Sequence, residues 1–471
     1  MRSIVWFRHN LRLSDNRPLF LAAKEGPVLP VYVQDPSLSL FPDTGRRRWR
    51  QRSLVALDRS LRPWGNRLHV FSGSTHEILG RVAAQVRAET VYAFRGVTCE
   101  ERREEELLER RLRETGTALQ LTGFDTLFPP DRAAEGRPSP WKVFTPYYRF
   151  CRQTFLPELP LPAPSRLDPL PFLSPLPGEE RVPGVGEGKE MSERLEGFDP
   201  GEAGAGVRLR EFLGGALAGY ASRRDFPAES STSRLSPHLA AGEVSVREIV
   251  QRVQESDAPR EDREKFLEEL GWREFSAHLL FSHPEMLVEP LKKEYAGLEW
   301  MSEEAGFLAW TQGRTGLPFV DAGMRELAET GWMHNRVRMV AASFLVKNLG
   351  IAWQSGARWF AEKLLDYDPA NNATSWQWVA GCGTDAAPFF RIMNPLLQGQ
   401  RYDPHGRYVR RFIPELAALP DGRIHAPWKG SSSGDAGSSE SLNGYPEPLV
   451  DLSESREAAL RRYRRIKELS S

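Results

Sequence analysis

The sequence predicts an α/β amino-terminal domain followed by an all-α carboxy-terminal one, and two patterns carry that expectation. Over residues 1–130, short apolar runs alternate with polar stretches of helical period. Over residues 206–471, only the helical period recurs. In the first region Ser3–Phe7, Pro27–Val33, Leu68–Phe71, Thr90–Phe94 and Leu119–Leu121 read as strands. Arg46–Leu61, Thr75–Arg87 and Glu100–Thr115 read as the helices between them. Strands alternating with helices favour a doubly wound, Rossmann-like parallel sheet. No GxGxxG follows the first strand, so the ordinary dinucleotide fingerprint is absent.

Residues 131–205 are expected to link the domains, because Pro157–Gly206 is rich in Pro, Gly and Glu and lacks periodicity. The second domain is expected to use helices over Val207–Tyr220, Ser245–Glu255, Arg260–Phe281, Ala305–Trp310, Val320–Thr330, His334–Asn348 and Ala357–Leu365. Gly430–Gly444 is of low complexity. Ser453–Leu469 reads as a final surface helix whose basic run, RRYRRIK, is a solvated face or a contact to DNA.

Composition narrows the function classes. Hydrophobic residues make up 40% of the 471, enough for a packed core. The 63 basic and 63 acidic residues cancel, so a nucleic-acid binder of this composition has to gather arginines on one face. Cys99, Cys151 and Cys382 have no metal-ligand spacing, which predicts reduced thiols, a cytoplasmic setting and no metal. No apolar run reaches membrane-spanning length, and the first residues lack a secretory pattern. The 13 tryptophans are core filler or interface anchors by default.

Several local patterns can carry chemistry. Thr232–Pro237 (TSRLSP) offers hydroxyls, an arginine and backbone N–H groups at a helix start, either as an ordinary N-cap or as a phosphate cradle. Asp366 and Asp368 flank Tyr367, as turn residues, a metal pair or an acid–base pair. Glu269, Trp272, Arg273 and Ser276 fall on one helical face, with Phe266, Leu267, Leu270 and Ala277 on the inward one. A bare ion pair between Glu269 and Arg273 is the plain alternative. Asn335 and Met339 are likewise four apart.

Longer strings are more specific: WFRHNLRLSDN (Trp6–Asn16), RDFP (Arg224–Pro227), TSRLSPHL (Thr232–Leu239), ELGWREF (Glu269–Phe275), TGLPFVDAGMREL (Thr315–Leu327), TGWMHNRVRM (Thr330–Met339), LLDYDPANNATSWQW (Leu364–Trp378) and TDAAPFFRIMNP (Thr384–Pro395). In this order they resemble the cryptochrome/photolyase family, and within it a class I-type cyclobutane pyrimidine dimer photolyase. The resemblance implies an antenna domain followed by a helical FAD-binding domain. It implies blue-light repair of pyrimidine dimers in DNA by electron transfer from reduced FAD to a flipped-out lesion. A signalling cryptochrome is the alternative. A pyrimidine–pyrimidone enzyme fits poorly, because Met333–His334–Asn335 lacks that group's histidine pair.

The same resemblance assigns residues. Flavin contacts fall on Tyr220, Thr232, Ser233, Arg234, Leu235, Ser236, Glu269, Arg273, Arg338, Asp366, Asp368 and Asn372, with Asp366 paired to Arg338 and Asn372 facing the flavin N5. Glu269, Trp272, Asn335, Met339 and Trp378 are implied to share a lesion cavity beside the flavin, where aromatic and sulfur contacts suit a thymine dimer. DNA contacts fall on Arg224, Glu269, Trp272, Arg273, Ser276, Asn335, Arg336, Arg391 and Gln398, with Arg401, Arg410 and Arg411 as further cations. Trp376, Trp353 and Trp300 match a surface-to-flavin electron relay. A second, light-harvesting chromophore is implied, methenyltetrahydrofolate (with Glu100 as its carboxylate) or a deazaflavin. A monomer with no obligate protein partner is expected.

Overall fold

The computed structural model describes the chain except residues 39, 42–43, 156–157, 172–175, 181, 183–197, 303, 386–389, 430–441 and 470–471. Most of the expected Gly/Ser-rich segment and the middle of the expected linker therefore lie outside the described residues. By its contacts the chain forms two compact units: Met1–Ala218 with Ser233–Pro284, and Gly219–Thr232 with Glu285–Ser471. The expected division at 130 and 206 followed element type. The observed one follows packing, and gives residues 233–284 to the α/β unit.

In the first unit the strands are β1 (Ser3–Phe7), β2 (Val28–Gln34), β3 (His69–Ser72), β4 (Thr90–Arg95), β5 (Ala118–Phe124) and β6 (Glu179–Glu180). Their order is β5-β4-β1-β2-β3-β6, parallel except for β6, which runs antiparallel to β3. The helices between them are α1 (Arg17–Glu25), α2 (Thr44–Leu61), α3 (Thr75–Val86) and α4 (Cys99–Arg113). The sheet is therefore the expected doubly wound one. The central strands are apolar on both faces because helices cover both. Ile4, Trp6, Leu29 and Val31 face one core, while Val5, Phe7, Tyr32 and Leu57 face the other. This is the period of two read directly from side-chain alternation.

The expected linker contains structure: α5 (Pro130–Ala134), α6 (Phe144–Thr154) and β6. These elements are short, and their packing rather than their periodicity holds them. Tyr147 of α6 is fully buried. The unit continues through α7 (Glu202–Glu211), α9 (Ser236–Ala241), α10 (Val246–Gln254) and α11 (Arg260–Ser282), with α8 (Tyr220–Arg223) belonging to the other unit. The helix expected over Val207–Tyr220 is interrupted by a π turn at Phe212–Ala216 and by Gly219, at φ 87°.

Long-range polar ties explain why α9–α11 pack on the α/β sheet. Buried Arg12, after β1, makes a bidentate pair with Asp125 after β5, at 2.8 and 2.7 Å, and donates to Gly242 O at 3.0 Å. Burial alone would raise the Asp125 carboxyl, but the Arg12 charge and hydrogen bonds hold it below its ordinary value. Arg247 of α10 donates to Asp15 at 2.9 Å. Glu274 of α11 accepts from Leu127 N and Phe128 N at 2.6 and 3.1 Å.

The second unit is helical: α12 (Glu304–Thr311), α13 (Pro318–Thr330), α14 (Asn335–Ser343), α15 (Trp353–Lys363), α16 (Pro369–Ala380), α17 (Pro395–Tyr402), α18 (Arg407–Phe412) and α19 (Leu452–Leu469). The expected helix over His334–Asn348 begins one residue later and ends in a π turn, Phe344–Asn348. The helix α16 was not expected, since its start reads as a loop of aspartates and proline. Pro369 at its first position lacks only an N–H that the helix would leave unused. Among the described residues no helix is long and apolar enough to cross a membrane.

Burial holds His69, His278 and His334 neutral, each pushed down to about 4. His278 accepts from Trp141 N at 3.1 Å, which a protonated ring could not do. Between pH 6.5 and 4 the unfolded chain binds protons that these folded imidazoles refuse, so stability is lost as pH falls through that window. Thermal unfolding should show this fall, worth up to about 3 kcal/mol per histidine, and His278→Gln should flatten it while lowering stability at neutral pH.

Candidate active site

Of the residues expected around the flavin, Arg338 lies on α14, Asn372 on α16, and Asp366 and Asp368 just before α16, all in the second unit. Arg338 of α14 donates through Nη2 to Asp366 Oδ2 at 2.8 Å, and through Nε to Met333 O at 2.7 Å. The expected Asp366–Arg338 pair is therefore formed. The other Asp366 oxygen, Oδ1, is buried and has no protein partner among the described residues. A buried carboxylate oxygen left open in this way calls for a donor. Asp368 takes the plain role weighed for it: it caps α16, accepting from Asn371 N at 2.8 Å. Asn372 lies one turn on and donates its amide to Ala357 O at 3.1 Å, so its Oδ1 is the acceptor left.

Trp376 and Trp378 are two apart on α16 and so face different ways. Trp376 is buried, with ring centroids 5.0 Å from Phe360 and 6.3 Å from Trp310. A methyl group at Gly356 of α15 would meet the Trp376 ring at 2.1 Å, so only glycine lets the two helices close. Trp353, one turn before Gly356, is buried, and Trp300 is half-buried. Trp310, which the sequence reading left out, extends the aromatic contacts outward: Phe307 stands 5.9 Å from it and half-buried Trp359 stands 6.3 Å from Phe307. Half-buried Trp378 instead lies beside a small hollow with Ser343, Arg391 and Met393, and the Arg391 guanidinium is 5.6 Å from its ring. Asn335 and Met339 share the expected face of α14, with Nδ2 and Sδ 3.9 Å apart.

Of the residues expected at the lesion, Glu269 and Trp272 lie in the first unit. Trp272 of α11 stacks on Phe144 at 3.8 Å and 12°, and Phe144 stacks in turn on Tyr148 at 5.3 Å. Both partners sit on α6, inside the expected linker. Their spacing of four was the signal available for them. Glu269 pairs with Lys265 at 3.3 Å, and Arg273 with Glu274 at 2.6 Å. Ser276 departs from its expected exposed face. It is buried and gives its hydroxyl to Trp272 O at 2.9 Å, the back-bond a helical serine makes when no outside partner reaches it.

The TSRLSP segment crosses from one unit to the other. Tyr220 and half-buried Thr232 are in the second, Ser233–Ser236 in the first. Arg234 is left-handed, at φ 50°, and Leu235, not a hydroxyl residue, stands at the start of α9 with no side-chain cap. Ser233 Oγ accepts from Leu235 N at 3.3 Å. The ordinary N-cap weighed for Thr232 or Ser233 is thus absent from the start of α9.

The expected DNA cations divide. Arg336 donates to Asp225 at 2.7 Å and lies 4.6 Å over the Tyr402 ring, and Arg224 neighbours Asp225 and Tyr220. Arg410 is tied to Leu419 O and to Asp421, so it is a brace rather than a free cation. Arg391, Arg401 and Arg411 are exposed, and Gln398 on α17 is half-buried. In the final helix, Tyr463 is buried and Arg462 donates to Gly350 O and Lys347 O, so part of the basic run is packed rather than solvated. No group of potential metal ligands occurs among the described residues. A cavity of about 220 Å³ opens at the carboxy-terminal ends of β4 and β5, lined by Phe94, Phe124, Phe155, Arg17, Arg132 and Arg247 among others. Glu100 is not part of it.

Two family models match the chain. Residues 3–165 match the family model described as DNA photolyase, and residues 266–465 match the one described as the FAD binding domain of DNA photolyase. A deoxyribodipyrimidine photo-lyase of Agrobacterium fabrum is 40% identical, with 99% of this chain and 98% of that protein covered. The chain belongs to the DNA photolyase and cryptochrome family. Cryptochrome-1 of Arabidopsis thaliana is 34% identical over 96% of this chain and 69% of its own length. The solved structure of a bacterial class III photolyase from Agrobacterium tumefaciens superposes with a TM-score of 0.90 at 39% identity, covering 99% of this chain and 98% of that one.

The residues of the second unit fit FAD: the open Asp366 oxygen and the Asn372 oxygen are acceptors of the kind the polar edge of an isoalloxazine needs. The tight seat of Trp376 can be checked directly. Gly356→Ala should cost about 1–3 kcal/mol by overpacking and shift tryptophan fluorescence, as measured by thermal unfolding and emission spectra. Wild-type stability in that variant would mean that α15 and α16 have room to part.

Proposed function

We propose that this protein is a photolyase that uses blue light and reduced FAD to split cyclobutane pyrimidine dimers in DNA. The observation that carries the reading is the end-to-end likeness to deoxyribodipyrimidine photo-lyases, joined to an Asp366–Arg338–Asn372 group with open acceptors. Reduced FAD, when bound and excited, supplies an electron to the dimer and recovers it after the ring bonds split. Asp366, held by Arg338, and Asn372 fix the polar edge of the isoalloxazine. Tyr220 and Thr232–Ser236 hold the diphosphate, with Asp368 setting the loop. Trp272 and Trp378 offer apolar faces to the flipped thymines, Met339 a soft contact, and Glu269 and Asn335 hydrogen bonds to their edges. Arg391, Arg401 and Arg411 are free to meet phosphates. The roles proposed for the sequence regions are an antenna in residues 1–130 and FAD binding within 206–471, although residues 233–284 pack with the α/β unit.

We infer two outlets for photoreduction from Trp376: the expected one through Trp353 and Trp300, and one through Trp310, Phe307 and Trp359. The ring contacts of Trp376 support the second. The cavity at the ends of β4 and β5, with Phe94, Phe124 and Phe155, Arg132 and Arg247, and the Arg17–Glu158 pair in its lining, is our candidate seat for a second chromophore, folate or deazaflavin.

A thymine cyclobutane dimer in an oligonucleotide, irradiated with the reduced protein, should return intact thymines in light and not in the dark. Glu269→Ala and Trp272→Ala should lose most repair yet still photoreduce. Photoreduction without repair by the wild type would favour a cryptochrome, which the likeness to Arabidopsis cryptochrome-1 keeps as the second reading. Trp353→Phe should slow flavin photoreduction and Trp353→Phe with Trp310→Phe should nearly abolish it. Equal rates in the single and double variants would exclude the second outlet.

A further inference from the structure

Lys347 is fully buried in the π turn that follows α14. Its Nζ donates to Ala380 O, at the last residue of α16, at 3.0 Å. Its ammonium lies 3.7 Å from the centre of the Tyr463 ring. Tyr463, on α19, is buried too and donates its hydroxyl to the same Ala380 O at 2.6 Å. Arg462, next along α19, donates to Lys347 O and Gly350 O at 3.2 Å each, and Asn348 donates to Ser455 Oγ at 2.8 Å.

The chemistry has a direction. The last carbonyls of a helix are unpaired and carry its negative end, so a cation there closes the helix. The Tyr463 ring also favours a cation on its face. Burial works against this and pushes the Lys347 ammonium down to about 7, with Cys382 opposing the fall and Arg462 adding to it. A leucine or methionine would fill the same space without that cost. A buried lysine aimed at one carbonyl is therefore a device for holding that carbonyl. Ala380 lies one turn beyond Trp376 and two beyond Asn372. Asp368 fixes the other end of the same helix.

We propose that Lys347 is a positioning residue: it anchors the carboxy-terminal end of α16, and so the placement of Trp376 and Asn372, while Tyr463 and Arg462 make α19 the clamp that keeps it there. The proposal rests on the reading that Trp376 carries electrons in photoreduction. An electron route is sensitive to placement, and a misplacement of about 1 Å can cost a positioned reaction as much as ~10²-fold.

The test uses the full-length, FAD-loaded protein as wild type, Lys347→Met, Tyr463→Leu and Trp376→Phe. Flavin photoreduction is followed by absorption, the tryptophan radical by transient absorption, and the amides of residues 376–381 by hydrogen exchange. Lys347→Met and Tyr463→Leu should retain FAD, exchange faster over that last turn, and photoreduce several-fold more slowly with a lower radical yield. Wild-type photoreduction and exchange in both, beside a Trp376→Phe protein that no longer photoreduces, would overturn the positioning role. Should Lys347→Met fail to fold, Tyr463→Leu decides by the same two readouts. Normal photoreduction in Trp376→Phe would instead sink the electron-route reading, and exchange over the last turn would then decide for or against Lys347 alone.

Discussion

Asp368 holds the first turn of α16 through Asn371 N, and Lys347 holds the last through Ala380 O. Between these ends the helix presses Trp376 onto Gly356, where no larger residue fits. The roles proposed for Asn372, Trp376 and Trp378 depend on that placement. Asn372 can present its oxygen because its amide is spent on Ala357 O. Trp376 and Trp378 serve different surroundings because two positions on a fixed helix face different ways.

The first unit is organised by a comparable constraint. Arg12 is buried and bidentate to Asp125, and it also reaches Gly242 O. Such a pair is costly to break, because either partner left alone would be a buried charge. It joins the loops after β1 and β5 to the helical segment that begins at Ser233. Glu274 does the same from α11. That helix carries Glu269 and Trp272, so the proposed lesion contacts rest on a polar frame made with the sheet.

Much of this was legible beforehand. Short apolar runs flanked by helical stretches marked all five parallel strands within a few residues, since a buried strand's apolar character is local. The i, i+4 pair Asn335–Met339 fell on one face for the same reason. Less local features were missed. The helix α6 looked like linker because its stability comes from stacking Phe144 on Trp272, a partner 128 positions away. The helix α16 looked like a loop because an aspartate and a proline are turn residues until a cap and a first helical position give them other work. Ser276 looked exposed by helical count, but its helix is covered on more than one side.

The sequence by itself determined the alternating α/β half, the helical half, the neutral charge balance and, through its long motif strings, the family and the residues to examine. Those depend on order and spacing along the chain. Only the tertiary structure decided that residues 233–284 belong with the sheet, that Asp366 keeps one oxygen open, that Trp310 neighbours Trp376, and that Lys347 and Tyr463 converge on one carbonyl. Each of these is a meeting of residues far apart in sequence, fixed by packing and by the need to pair buried charge, and no local pattern encodes it.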